Sequence, residues 1–184
     1  MRIRKSLQQY LYLMYELNRM NNIHWWRWFS CWFTVGFWSI ASYRIERSLY
    51  LLLGKGYSVI RVFLSPLFFM LSPWLGRVEI HYRADIGKGF ILLHPTLGAV
   101  ISPASVIGEN LTLTGGNCIG GRKKLSTGDI SIGDNPTMGI NSVVLGPIKI
   151  GNNVQISPGA VVTNDVENDK VVVAIPSRVI STNA

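Results

Sequence analysis

The chain has 184 residues, 48% of them hydrophobic, with a mean hydropathy of +0.24 and a formal net charge of +8. That length fits one ordinary domain or one domain with an appendage, and the apolar content excludes a disordered chain. The charge is uneven: residues 1–78 hold ten Lys/Arg and two acids, Glu16 and Glu46, whereas residues 79–184 hold eight of each. All six Trp lie in the first part, and all 18 Gly except Gly36, Gly54, Gly56 and Gly76 lie in the second. The composition therefore divides the chain into 1–78 and 79–184. Cys31 and Cys118 fall one on each side of that boundary. They suggest reduced thiols in a cytosolic setting rather than a disulfide framework.

The opening MRIRKSLQQYLYLMYELNRM is basic but lacks the apolar core and small-residue cleavage site of a secretory signal. The uncharged run WFSCWFTVGFWSIASY over 28–43 is shorter than the ~20 apolar residues of a spanning helix. A second apolar region over 59–76 is interrupted by Pro66 and Pro73, which argues against one continuous helix. Residues 1–78 are expected to be α-helical. Their mixture of Trp, Tyr, Arg and aliphatic residues points to peripheral contact with the inner face of the cytoplasmic membrane. A soluble cap or an oligomerisation element is the second reading and a true span the third. His24 reads as an interface or packing residue.

Beyond residue 78 a six-residue repeat dominates. Ile80, Ile86 and Leu92 begin it; Ile101, Ile107, Leu113 and Ile119 continue it; Ile132, Met138, Val144, Ile150, Ile156 and Val162 complete it. Small residues follow many of these positions, and the period cannot belong to an α-helix of 3.6 residues per turn. Short flat strands joined by tight turns, three per coil, predict a parallel β-helix with inward aliphatic columns. Two register breaks interrupt it. Leu92 to Ile101 is nine residues, and Ile119 to Ile132 is thirteen, one more than two units. Insertions in a solenoid project as loops on a functional face. The first break holds His94; the second holds Arg122, Lys123 and Lys124.

A lone histidine is often structural, but His94 interrupts an apolar, turn-prone run at a break. A neutral imidazole suits a general base that takes a hydroxyl proton at cytosolic pH. The paired glycines Gly120 and Gly121 could offer backbone donors to an oxyanion. Arg122, Lys123, Lys124 and Arg178 could meet phosphates, although such a run is commonly a solvated loop. His81 stands two residues from Glu79 and is either a substrate contact or a surface turn. No metal-ligand spacing appears, and neither a metal nor a nucleic acid is expected.

The segments VEIHYRADIGKGFILLHPTLGAVI, CIGG and VVVAIPSRVI resemble the left-handed β-helix acyltransferases, and within them the serine O-acetyltransferase-like branch, most of all its polysaccharide O-acetyltransferases. The resemblance covers about residues 77–181. It alone implies the left-handed sense, since general crossover statistics favour the right hand. It further implies acetyl-CoA as cosubstrate, a homotrimer or a multiple of one, His94 as base, and Glu79, fifteen residues earlier, orienting it. The family usually has Asp there. CoA would lie in a groove between solenoids lined by Gly121, Gly139, Ile140, Gln155 and Pro158.

Three acceptor positions depart from the serine enzymes: Leu93 replaces a carboxylate, and Gly128 and Asp129 replace an Arg-His pair. The expected acceptor is therefore a sugar hydroxyl of a surface polysaccharide or its lipid-linked precursor, with Leu93, Asp129 and His81 as acceptor contacts. Serine O-acetylation and a non-catalytic membrane assembly module are the alternatives.

Overall fold

The computed structural model describes residues 2–20, 34–54, 56–63, 66, 77–121 and 123–174. Two helices precede the solenoid. α1 spans Arg2–Met20 and α2 spans Val35–Leu53. Thr34 caps α2, its hydroxyl accepting from the Phe37 N–H at 3.4 Å. Gly54 ends it with φ +60°, a left-handed conformation that glycine adopts at little cost. A further helical stretch covers 56–63. Among the described residues, no helix is long and apolar enough to cross a membrane.

The remainder is a three-sided parallel solenoid of about four turns. Numbering the strands in chain order, the first face stacks β1 (Val78–Ile80), β4 (Ala99–Ile101), β7 (Asn117–Gly121), β10 (Val143–Gly146) and β13 (Val161–Val162). The second stacks β2 (Asp85–Ile86), β5 (Ser105–Ile107), β8 (Ile130–Ile132) and β11 (Ile148–Ile150). The third stacks β3 (Ile91–Leu92), β6 (Thr112–Leu113), β9 (Thr137–Met138), β12 (Gln155–Ile156) and β14 (Val171–Val172). The inward columns are the residues of the six-residue repeat. Ile101, Ile119 and Val144 align on the first face, Ile107, Ile132 and Ile150 on the second, and Leu113, Met138 and Ile156 on the third. All nine are buried.

The second break is the loop expected from the sequence: Ile119 and Ile132 are one strand step apart, because β7 on the first face leads straight to β8 on the second. Thirteen residues stand where a step takes six, so the second break is one loop at one corner and contains no hidden strand.

A polar ladder closes the corner between the second and third faces. Asn110, Asn135, Asn153 and Asp169 all have φ between 55° and 61°, and each amide donates to the next residue down at 2.8–2.9 Å. Asn and Asp tolerate this conformation better than other side-chain-bearing residues.

The helices dock on the first coil through polar groups. Arg44 is almost fully buried and forms an ion pair with Glu16 of α1. Its guanidinium also donates to Gln9 Oε1 at 3.0 Å, to the Ile86 carbonyl at 2.7 Å and to the Gly87 carbonyl at 2.6 Å. Glu16 in turn accepts from the Phe90 N–H at 3.1 Å. Tyr43 donates to the Ala84 carbonyl at 2.9 Å, and Arg47 to that of Arg83 at 2.9 Å. Burial raises the Glu16 carboxyl above its ordinary value, with Arg44 opposing that shift. Removing one partner of a buried pair strands the other charge, at about 3–5 kcal/mol. Arg44→Ala is expected to lower stability by about that amount in chemical unfolding, and Arg44→Met combined with Glu16→Leu to recover a large part of it. Equal losses in the single and double variants would contradict the coupling.

Candidate functional site

The corner between the third and first faces carries His94. The chain leaves β3, the Leu93 N–H donates to the Leu113 carbonyl at 2.9 Å, and the His94 N–H donates to that of Thr114 at 2.9 Å. Pro95–Leu97 then forms a single 3-10 turn with His94 at its N-terminal boundary. The turn accounts for the three additional residues of the first break. It lifts His94 off the wall, and its side chain is exposed.

The same corner repeats below it. Asn141 donates from its N–H to the Gly115 carbonyl at 2.9 Å, and Gly159 to that of Ile140 at 2.9 Å. His94, Gly115, Ile140 and Gly159 therefore mark successive levels of one edge. Of the residues expected to line a cosubstrate groove, Gly139, Ile140 and Pro158 lie on this edge. Gln155 faces outward from β12 beside it. Gly139 has no room for a side chain, because a Cβ there would lie 2.5 Å from the Pro158 nitrogen. The edge is thus narrow and poor in side chains, a shape that an elongated ligand can lie along.

Glu79 faces outward from β1, on the strand that pairs with β4. It heads a column on the first face that continues through Val100, Cys118, Val143 and Val161. Glu79 and His94 thus flank the same corner, one on the face and one at its edge. Neither side chain forms a hydrogen bond among the described residues. Burial raises the Cys118 thiol above its ordinary range.

Other expected residues are not brought together in one chain. Gly120 and Gly121 end β7, paired with Leu145 and Gly146, and Lys123 and Lys124 follow on the loop. This is the edge between the first and second faces, opposite that of His94. Asp129 belongs to the loop's own turn, its carboxylate accepting from the Ser126 N–H at 2.7 Å. His81 lies at the corner after β1, where its Nδ1 accepts from the Arg83 N–H at 3.1 Å and its ring stacks on Tyr82. Arg122, Arg178 and His24 lie outside the described residues. Among the described residues, no group of three or more His, Cys, Asp or Glu could hold a metal ion.

Sequence reasoning passed over Asn117. It occupies an inward column position, is 2% exposed, and wires the His94 edge together. Its Oδ1 accepts from the Gly115 N–H at 2.8 Å, and its Nδ2 donates to the Gly139 carbonyl at 2.7 Å and to Ser142 Oγ at 2.9 Å. A bulkier amide in a column that otherwise holds small residues, Ala99 beside it and Ser142 below, was the available signal.

The fold is the left-handed β-helix of hexapeptide-repeat acyltransferases. Residues 129–164 match the family model described as bacterial transferase hexapeptide (six repeats). The chain is 34% identical over 149 residues to the serine acetyltransferase of Bacillus subtilis (strain 168), covering 80% of this chain and 65% of that protein. It is 45% identical over 105 residues to serine acetyltransferase 1, chloroplastic, of Arabidopsis thaliana, covering 56% and 33% respectively. Among solved structures it resembles the Neisseria gonorrhoeae serine acetyltransferase in complex with serine, with a TM-score of 0.73 and 28% identity, covering 95% of this chain and 72% of that one. The chain thus spans between a third and two thirds of the length of these two curated relatives.

These likenesses overturn the polysaccharide acceptor expected from the sequence, because the relatives are serine acetyltransferases. Leu93 is an exposed side chain beside His94, 54% accessible.

Two outcomes follow from this geometry. Asn117→Ala strands the buried Gly115 N–H and removes one of the donors to the Gly139 carbonyl, which keeps its bonds from Ser142; it is expected to cost about 1–3 kcal/mol in unfolding measurements, with Asn117→Asp restoring only part. For His81, burial is the largest cause and the Arg61 and Arg83 charges add to it; together they lower its pKa below 6.5. The folded state therefore binds fewer protons, and the stabilising contribution is complete above 6.5 and lost as pH falls through the folded-state value. Thermal midpoints of wild type and His81→Gln should converge on acidification. A constant gap would contradict it.

Proposed function

We propose that the chain is an acetyl-CoA-dependent O-acetyltransferase whose acceptor is the hydroxyl of L-serine. The observation that carries this reading is the likeness to the serine-bound Neisseria gonorrhoeae enzyme over 95% of the chain, with 28% identity. An exposed histidine at the edge of the solenoid supports it. His94 takes the proton of the serine hydroxyl as its oxygen attacks the thioester carbonyl carbon, and Glu79 steadies the imidazolium that forms. The C–S bond breaks, and the leaving thiolate of CoA receives the proton. Acetyl-CoA supplies the activated acyl group. Gly139, Ile140 and Pro158 would hold its elongated arm by shape, and Lys123 and Lys124 would meet its phosphates.

A homotrimer fits this reading. His94 and the loop over 123–129 sit on opposite edges of one face in a single chain, and a neighbour can bring the second edge to the first. The outward column of that face is largely apolar below Glu79, with Val100 and Val161 exposed by 43% and 58%. A neighbouring solenoid would cover it.

The test is thiol release from acetyl-CoA by the purified protein with and without L-serine. Serine-dependent release is expected, and His94→Ala should lower kcat/KM by about 10²–10⁴-fold. Absence of serine-dependent release overturns the acceptor, and full activity in His94→Ala overturns the base.

A further inference from the structure

α1 is built inside out. Its buried residues include Ser6, Gln9 and Glu16, all polar, together with Leu17. Its outward residues include Ile3, Leu7, Tyr10, Leu11 and Met14, exposed by 67%, 59%, 45%, 69% and 54%. These positions are spaced three and four apart, so they form one continuous stripe along the helix. A contiguous exposed apolar surface of this kind marks an interaction site.

The charges around the stripe are of one sign. Arg2, Arg4 and Lys5 are exposed and form no ion pair among the described residues. The one acid of α1, Glu16, is buried against Arg44. The first turn of α1 holds no acid. Its cations therefore stand at the positive end of the helix dipole, where they weaken the helix. Their position does not serve the stability of α1, and an anionic partner gives them a counter-charge. A second copy of α1 would bring a matching apolar stripe but leave the cations of both copies without a counter-charge.

We propose that this face of α1 docks on an anionic lipid surface. The stripe enters the boundary between headgroups and acyl chains, and Arg2, Arg4 and Lys5 meet lipid phosphates. The inference is independent of the acceptor.

Sedimentation of the full chain with vesicles tests it. Pelleting is expected with phosphatidylcholine mixed with phosphatidylglycerol, little with phosphatidylcholine alone, and less as salt is raised. Leu7→Asp combined with Leu11→Asp, and separately Arg4→Glu combined with Lys5→Glu, should each lower the partition coefficient by about tenfold or more. Circular dichroism checks that both variants stay folded; Leu11→Ser is the milder substitute if either does not. Pelleting that ignores lipid charge, or that survives both variants, overturns the proposal. So does vesicle-free self-association that Leu7→Asp abolishes, which would make the face a contact between copies.

Discussion

The buried Arg44–Glu16 pair is the constraint on which the rest depends. A parallel solenoid ends in a coil whose outer backbone groups have no neighbouring coil to bond. Here α1 and α2 occupy that end, and their side chains take up the open carbonyls. Arg44 bonds Ile86 and Gly87, Arg47 bonds Arg83, Tyr43 bonds Ala84, and Arg19 bonds Gly89. Glu16 satisfies the Phe90 N–H and neutralises Arg44 in the same step. Several cations of the N-terminal region thus face inward as backbone donors. The +8 of the chain is in part a capping device, and only the remainder is left for partners.

With the first coil fixed, the corners below it are fixed as well. Each corner stacks on the one beneath through backbone hydrogen bonds, so a single insertion shows up as a local projection and leaves the register intact. The turn after β3 puts His94 on one edge, and the longer insertion after β7 puts Lys123 and Lys124 on the other. The two insertions serve opposite edges of the same face. Under the proposed acetyl transfer a single chain would present two halves of a site, which assembly would close.

The solenoid was legible because its core imposes period six on the aliphatic residues, and that period has no helical interpretation. Its three faces and inward columns follow from spacing alone. The insertion after β7 was legible as a loop because its residues carry no inward aliphatic pattern, although the break lies within one residue of two regular units. Asn117 was hidden because a repeat template marks polar inward residues as exceptions without saying what they bond. The Arg44–Glu16 pair could not be read, since the residues lie 28 positions apart and burial turns a surface-like pair into a core element. The substitutions at Leu93, Gly128 and Asp129 were plain, but three local departures weighed too heavily against the likeness of the remainder of the chain to serine acetyltransferases.

The central claim is that the edge bearing His94 receives the acetyl donor. Hydrogen–deuterium exchange of the intact protein with and without CoA tests it directly. Slowed exchange at residues 139–141 and 157–159, the levels stacked beneath His94, is the predicted result. Unchanged exchange along that edge at saturating CoA would contradict the account.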